Sequence, residues 1–168
     1  MLSGTDIRAG TPGDMAAVTE IYAHYVRDSV ATFELDPPDA EEMRRRYVAL
    51  RDNNCPYLVA DRDGEILGFA YAASYRPRPA YRLTVENSVY LAPGATAKRI
   101  GTQLLLQLIR ECRERGFKQM IAVIGGGVEN AASVRLHARC RFHQVGVLVA
   151  VGRKFDRWVD TLLMQRPL

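Results

Sequence analysis

The 168-residue chain contains no run approaching the ~18 consecutive apolar residues that a membrane span needs. Its first ten residues carry Asp6 and Arg8 and hold no apolar segment of the kind that opens a secretory leader. A cytoplasmic protein without a membrane anchor is expected. Cysteine is scarce: Cys55, Cys112 and Cys140 are odd in number, widely spaced and set in apolar patterns. That spacing argues against a disulfide framework and against zinc-ligand pairs, and it reads the three as reduced core thiols. No metal site is expected. Lys and Arg exceed Asp and Glu by 23 to 19, a net charge of +4, yet the basic residues form no run or stripe. The pattern argues against a nucleic-acid partner, while an anionic small molecule or a solvated basic surface fits the surplus equally well. Repeats, low-complexity tracts and linkers are also missing, so residues 1–168 read as one domain.

What is present is ordinary globular composition, 48% hydrophobic and 25% charged, enough for a single core in a chain of this length. Ile7 begins a short strand. Thr11-Pro12-Gly13-Asp14 then offers cap chemistry before Met15, Val18, Ile21, Tyr22 and Tyr25, which recur at helical spacing. Pro37-Pro38-Asp39 caps a second helix through Met43, Tyr47 and Leu50 that ends near Asn53-Asn54. A hairpin follows, Tyr57–Ala60 and Ile66–Tyr71 around Asp61-Arg62-Asp63-Gly64. After the loop Arg76-Pro77-Arg78-Pro79, whose prolines argue against regular structure, a strand runs from about Leu83 to Leu91. Ile100, Leu104, Leu105, Leu108, Ile109 and Cys112 mark one face of a long helix stopped by Gly116. A buried strand at Met120–Ile124, a glycine loop and a helix from Asn130 to about Cys140 come next. Val145–Val151 and Trp158–Met164 read as an antiparallel pair closing the sheet.

Two segments carry chemistry. Period-two geometry puts Thr84, Glu86, Ser88 and Tyr90 on one face of a strand, and a carboxylate there is either a solvent-facing residue or a functional one. Immediately afterwards Ala92-Pro93-Gly94 and Thr96–Thr102 lead into the long helix, where free N–H groups and the helix dipole suit a phosphate. The turn has neither the Gly-x-x-x-x-Gly-Lys of nucleotide hydrolases nor the Gly-x-Gly-x-x-Gly of dinucleotide binders.

Val89-Tyr90-Leu91, the turn ending in Ile100-Gly101, the apolar helix, Ala122-Val123-Ile124 and Asn130–His137 resemble, in order and spacing, the GNAT superfamily of N-acetyltransferases. Tyr71, Tyr75-Arg76-Pro77-Arg78, Tyr81, Thr84–Tyr90 and Val151–Trp158 are similar to its phosphinothricin and methionine sulfone (sulfoximine) acetyltransferase branch, over nearly the whole chain. The resemblance implies a mixed α/β (α+β) GNAT fold whose mostly antiparallel sheet splays at the cofactor site between flanking helices. It implies acetyl-CoA as cosubstrate, the α-amine of a small L-amino acid analogue as acceptor, and a homodimer. Carried over residue by residue, it implies Glu86 as general base and His137 as the acid for the departing thiolate. Val89, Tyr90, Leu91, Ala97, Lys98, Arg99, Ile100, Gly101, Thr102, Asn130 and Ser133 would bind the cofactor. Phe33, Arg76, Arg78, Tyr81 and Thr84 would shape the acceptor pocket, the two arginines meeting its oxyanion-like or dipolar end. The family usually has Gln or Arg, then Gly, then Gly or Ala where Thr96, Arg99 and Gly101 stand here, and a glycine where Arg141 stands. Two further functions stay open on the residues alone: acetylation of another amine, and acyl-CoA binding without turnover.

Overall fold

A computed structural model describes residues 4–95 and 99–168. In chain order the elements are β1 (Asp6–Ala9), α1 (Met15–Asp28), α2 (Ala40–Asp52), β2 (Tyr57–Arg62), β3 (Glu65–Ser74), β4 (Thr84–Leu91), α3 (Ile100–Glu114), β5 (Gln119–Gly125), α4 (Ala131–Arg139), β6 (His143–Lys154) and β7 (Arg157–Pro167). Local chemistry accounts for their ends. Asp39 accepts the Glu42 N–H at 2.8 Å and starts α2, and Asn130 accepts the Ser133 N–H and starts α4.

The strands form one sheet in the order β1-β2-β3-β4-β5-β7-β6. All neighbours are antiparallel except β4 and β5, which the α3 crossover makes parallel. Apolar side chains fill both faces. On one side α3 buries Leu104, Leu105 and Leu108 completely against Leu58, Ala70, Val85, Met120 and Met164, each such leucine contributing roughly 1.5–3 kcal/mol by leaving water. On the other, Met15, Val18, Tyr22, Met43 and Tyr47 of α1 and α2 pack on Tyr57, Val59 and Phe69. The sheet is therefore sandwiched between two helix pairs. All three cysteines are free and buried.

Two expectations need correction. The segment after Arg78 is not wholly irregular: Pro79–Tyr81 forms a 3-10 turn, because proline pre-sets the first helical φ and the Tyr81 N–H donates to the Arg78 carbonyl at 2.9 Å. The terminal hairpin is longer than its hydrophobic pattern suggests. Phe155 and Asp156 both adopt left-handed φ, 51° and 56°, a two-residue reversal that lets pairing continue to Lys154↔Arg157.

Candidate active site

The parallel pairing of β4 and β5 runs from Thr84↔Gln119 to Asn87↔Ala122 and stops there, although β4 continues to Leu91 and β5 to Gly125. Past Asn87 the strands splay, and the backbone edge of β4 loses its partner. Ala92 donates its N–H to the Leu67 carbonyl on the β3 side. Alternation then turns the peptide groups of Tyr90 toward β3 and those of Val89 and Leu91 toward the gap. The Tyr25 hydroxyl from α1 claims Leu91, donating to its carbonyl at 2.8 Å and accepting its N–H at 3.3 Å. Of the three residues, Val89 thus keeps the open edge, while the Tyr90 ring packs among Tyr22, Tyr25 and Phe69 at 5.0–5.3 Å.

The first turn of α3 lies beside the gap, with Leu91 and Leu136 of α4 in contact distance of Gly101. Among the described residues the first helical bond of α3 is Gln103 N–H to the Arg99 carbonyl, and the N–H groups that open a helix are the ones its own turn leaves without an acceptor. An open strand edge and a helix start facing one gap fit a thioester joined to a polyphosphate, the two polar features of acetyl-CoA. Arg99 caps the helix with φ 58°, a left-handed conformation that costs a non-glycine residue roughly 1–2 kcal/mol. It is exposed, so its side chain leaves the turn and adds positive charge to the rim. Ala97 and Lys98, expected at the pyrophosphate, and Thr96 beside them, lie outside the described residues.

Glu86 stands on the α1–α2 face of β4, opposite Ala73 and one step from Ser88, which bonds the Tyr71 hydroxyl. Among the described residues it has no hydrogen bond or ion pair, and burial raises its carboxyl pKa. A carboxylate that is desolvated and unspent is a stronger base than one in water.

His137 is set differently from an exposed acid. It is 4% exposed, with one ring nitrogen 2.8 Å from the Ser133 carbonyl, the other 2.9 Å from the Asn87 amide oxygen, and Phe142 edge-on. Burial lowers its pKa, and the Ser133 carbonyl opposes this. Both nitrogens face protein oxygens, and a neutral imidazole, with one N–H, donates to one of the two. Asn87 in turn donates to the Ile121 carbonyl at 3.1 Å, so Asn87 and His137 pin β4, β5 and α4 together where the sheet opens. Sequence reasoning missed Asn87. The available signal was a polar residue on the buried period of β4, flanked by Val85 and Val89. Asn130 spends its side chain on the α4 cap and on the Gly125 carbonyl, while Ser133 also approaches His137.

The residues expected to shape the acceptor pocket come from separate segments. Thr84 opens β4, half-buried. Arg76, Arg78 and Tyr81 are exposed on the β3–β4 loop, Arg76 lying over the Tyr75 ring and Tyr75 edge-on to Tyr81. Neither arginine has a carboxylate partner among the described residues. Phe33, on the α1–α2 loop, is seated where glycine permits it: a Cβ on Gly152 would lie 2.2 Å from the Phe33 ring, and one on Gly125 2.2 Å from the Val30 carbonyl. The loop is clasped by Lys154, only 3% exposed, whose ammonium donates to the Thr32 carbonyl at 2.9 Å. The Thr32 hydroxyl pairs with Tyr22, Tyr22 donates to Glu34, and Glu34 holds Arg46 of α2. Lys154 was not foreseen as a site residue, because a lysine beside a hairpin turn reads as solvated. Lys154→Met keeps an unbranched side chain, one atom shorter, and removes a buried charge, so the fold should persist. With the clasp gone, the acceptor KM is expected to rise about 10-fold, the worth of one charge-assisted hydrogen bond, while calorimetry finds acetyl-CoA affinity within about twofold.

The model of the Acetyltransferase (GNAT) family matches residues 18–142. A phosphinothricin N-acetyltransferase of Alcaligenes faecalis is 53% identical over 162 residues, 96% of this chain and 82% of that protein. An L-methionine sulfoximine/L-methionine sulfone acetyltransferase of Pseudomonas paraeruginosa is 38% identical over 160 residues, 95% of this chain and 92% of its own. The crystal structure of a GNAT superfamily phosphinothricin acetyltransferase from Sinorhizobium meliloti with acetyl-CoA superposes with a TM-score of 0.94 at 44% identity, covering 98% of this chain and 88% of that one.

Proposed function

Given that the chain belongs to the GNAT family of N-acetyltransferases and uses acetyl-CoA, we propose that it acetylates the α-amine of small L-amino acids bearing a phosphinate, sulfone or sulfoximine group. The observation that carries the mechanism is Glu86: unspent, desolvated and on the face away from α3, beside the point where β4 leaves β5. Acetyl-CoA supplies the activated acyl group. Glu86 accepts a proton from the acceptor ammonium, which frees the lone pair for direct attack on the thioester. The open Val89 N–H is placed to polarise the carbonyl oxygen, and Ile100, Gly101 and Thr102 offer their N–H groups to phosphate. His137 acts here as a positioning residue beside Asn87 at the splay, because its ring is buried against protein oxygens and the Phe142 ring.

The relatives' named substrates support the acceptor class, as do Arg76 and Arg78, cations without a protein carboxylate. Acetylation of another amine stays the alternative, and turnover measured across a panel of amines decides: the reading requires phosphinothricin or methionine sulfone to exceed polyamines and peptides in kcat/KM. We place the reaction in the cytoplasm; among the described residues no helix is long and apolar enough to cross a membrane.

We also propose a homodimer. β6 is an edge strand, and Val145, Val147, Leu148, Val149 and Val151 along it, with Phe155 and Trp158 at its turn, are 45–73% exposed. Apolar area of this kind on an unpaired strand is suited to a second copy. Light scattering should return twice 18.8 kDa, and Val149→Lys with Trp158→Ser should return the monomer; a wild-type monomer would remove the proposal.

A further inference from the structure

Past Asn87, β4 has a strand partner on one side only: its pairing with β5 ends there, while its register with β3 runs on to Gly68↔Leu91. Along the unpaired edge, peptide groups stay aimed only as well as something other than a neighbouring strand fixes them. The group that matters is the Val89 N–H, which faces the gap. Val89 lies midway between two residues tied from outside the β3–β4 pair. On one side the Asn87 side chain donates to the Ile121 carbonyl at 3.1 Å and meets the His137 ring at 2.9 Å. On the other side stands Leu91.

Three elements grip Leu91. Its side chain is packed between β3 and α3: a Cβ added to Gly68 would lie 2.7 Å from it, and one added to Gly101 3.5 Å. Its backbone is taken by α1, because the Tyr25 hydroxyl donates to the Leu91 carbonyl at 2.8 Å and accepts the Leu91 N–H at 3.3 Å. At the last residue of β4, one hydroxyl thus stands in for the strand that β5 no longer supplies. The Tyr25 ring is held in turn, tilted against Tyr90 at 5.0 Å and edge-on to His24 at 5.4 Å. Burial raises the phenol pKa, so the hydroxyl keeps its proton at neutral pH and can hold the carbonyl. The other tyrosine of α1, Tyr22, spends its hydroxyl on Thr32 and Glu34 of the α1–α2 loop.

We propose that Tyr25 is a positioning residue for the acetyl-transfer step: with Asn87 it holds the open edge of β4 in place, so that the Val89 N–H is aimed at the thioester oxygen before charge develops there. This rests on the role given to Val89 under the proposed function. A donor aimed in advance has nothing to reorganise as the reaction proceeds, and loss of a whole donor of this kind costs about 10²- to 10³-fold in kcat. Loosening one costs part of that.

Tyr25→Phe keeps the ring and its packing and removes only the hydroxyl. It is expected to lower kcat about 10-fold and to leave the acceptor KM within about twofold, the pattern of an interaction felt in the transition state alone. A packing role would not reach the bound thioester, so the deciding readout is spectroscopic: infrared difference spectra of acetyl-CoA, isotope-labelled at the acetyl carbonyl and bound to the full chain without acceptor. In the wild type the carbonyl band should lie below that of a simple thioacetate in a solvent without hydrogen-bond donors. In Tyr25→Phe it should broaden and move back towards that reference. Tyr22→Phe, one turn earlier on α1, should raise the acceptor KM through the loop and leave the band in place. A wild-type band at the reference position would remove the role of Val89, and this inference with it. A shifted wild-type band that Tyr25→Phe leaves in place, a kcat for that variant within about twofold of wild type, or an equal displacement of the band by Tyr22→Phe would each overturn the role of Tyr25 alone.

Discussion

Glu86→Gln is expected to lower kcat by about 10²- to 10⁴-fold at neutral pH, the usual worth of a general base, with acceptor KM nearly unchanged. Glutamine preserves the shape of a side chain that has no protein partner to lose, so the deficit reports proton transfer rather than repacking. The pH profile separates the two. In the variant, rising pH deprotonates the acceptor amine in solution and should recover part of the loss, which a packing defect would not do. In the wild type only the carboxylate form works. Because burial raises its pKa, the acid limb of kcat/KM should lie above the ordinary glutamate range near ~4.3 and activity should fall as pH drops through it. A flat loss at every pH in Glu86→Gln would remove Glu86 from the base role.

Arg78→Ala is expected to cut kcat/KM for phosphinothricin by about 10- to 100-fold, and to affect a neutral amine far less. A charge-assisted hydrogen bond to an oxyanion is worth roughly 1.5–3 kcal/mol, and each 1.4 kcal/mol is about tenfold. Arg78 is exposed and, among the described residues, without an acidic partner, so its removal leaves no buried charge behind and the fold is not at risk. Arg76→Lys should be milder, since a point charge still meets an oxyanion without the planar fork. Equal losses for charged and neutral acceptors in both variants would make the pair scaffolding, and the acceptor would revert to an unspecified amine.

The residues that were legible beforehand are those whose meaning is local. Ile100, Leu104, Leu105, Leu108, Ile109 and Cys112 of α3 recur at helical spacing, and all six proved buried, while Leu106, off that face, is exposed. Asp39 and Asn130 announce their helices because a cap needs only the next three residues. Alternation along β4 separates Glu86 from Val85 and Asn87 regardless of what the rest of the chain does. Such periodicities determine elements and the face each residue occupies.

The tertiary structure decided everything that depends on residues distant in sequence. Asn87 and His137, 50 residues apart, meet where β4 and β5 part, and that contact is what buries the histidine ring. The seat of Phe33 depends on Gly125 and Gly152, and its loop on a lysine 122 residues beyond Thr32. Arg99 takes a glycine-like conformation that nothing in its neighbours foretells. Among the described residues the Tyr57 hydroxyl is buried and unpaired only because three strands and two helices close around it. Pattern in a sequence records how each segment meets water. Which groups are left paired, strained or unsatisfied is a property of the packed whole, where each contact is made by parts of the chain that carry no local trace of one another.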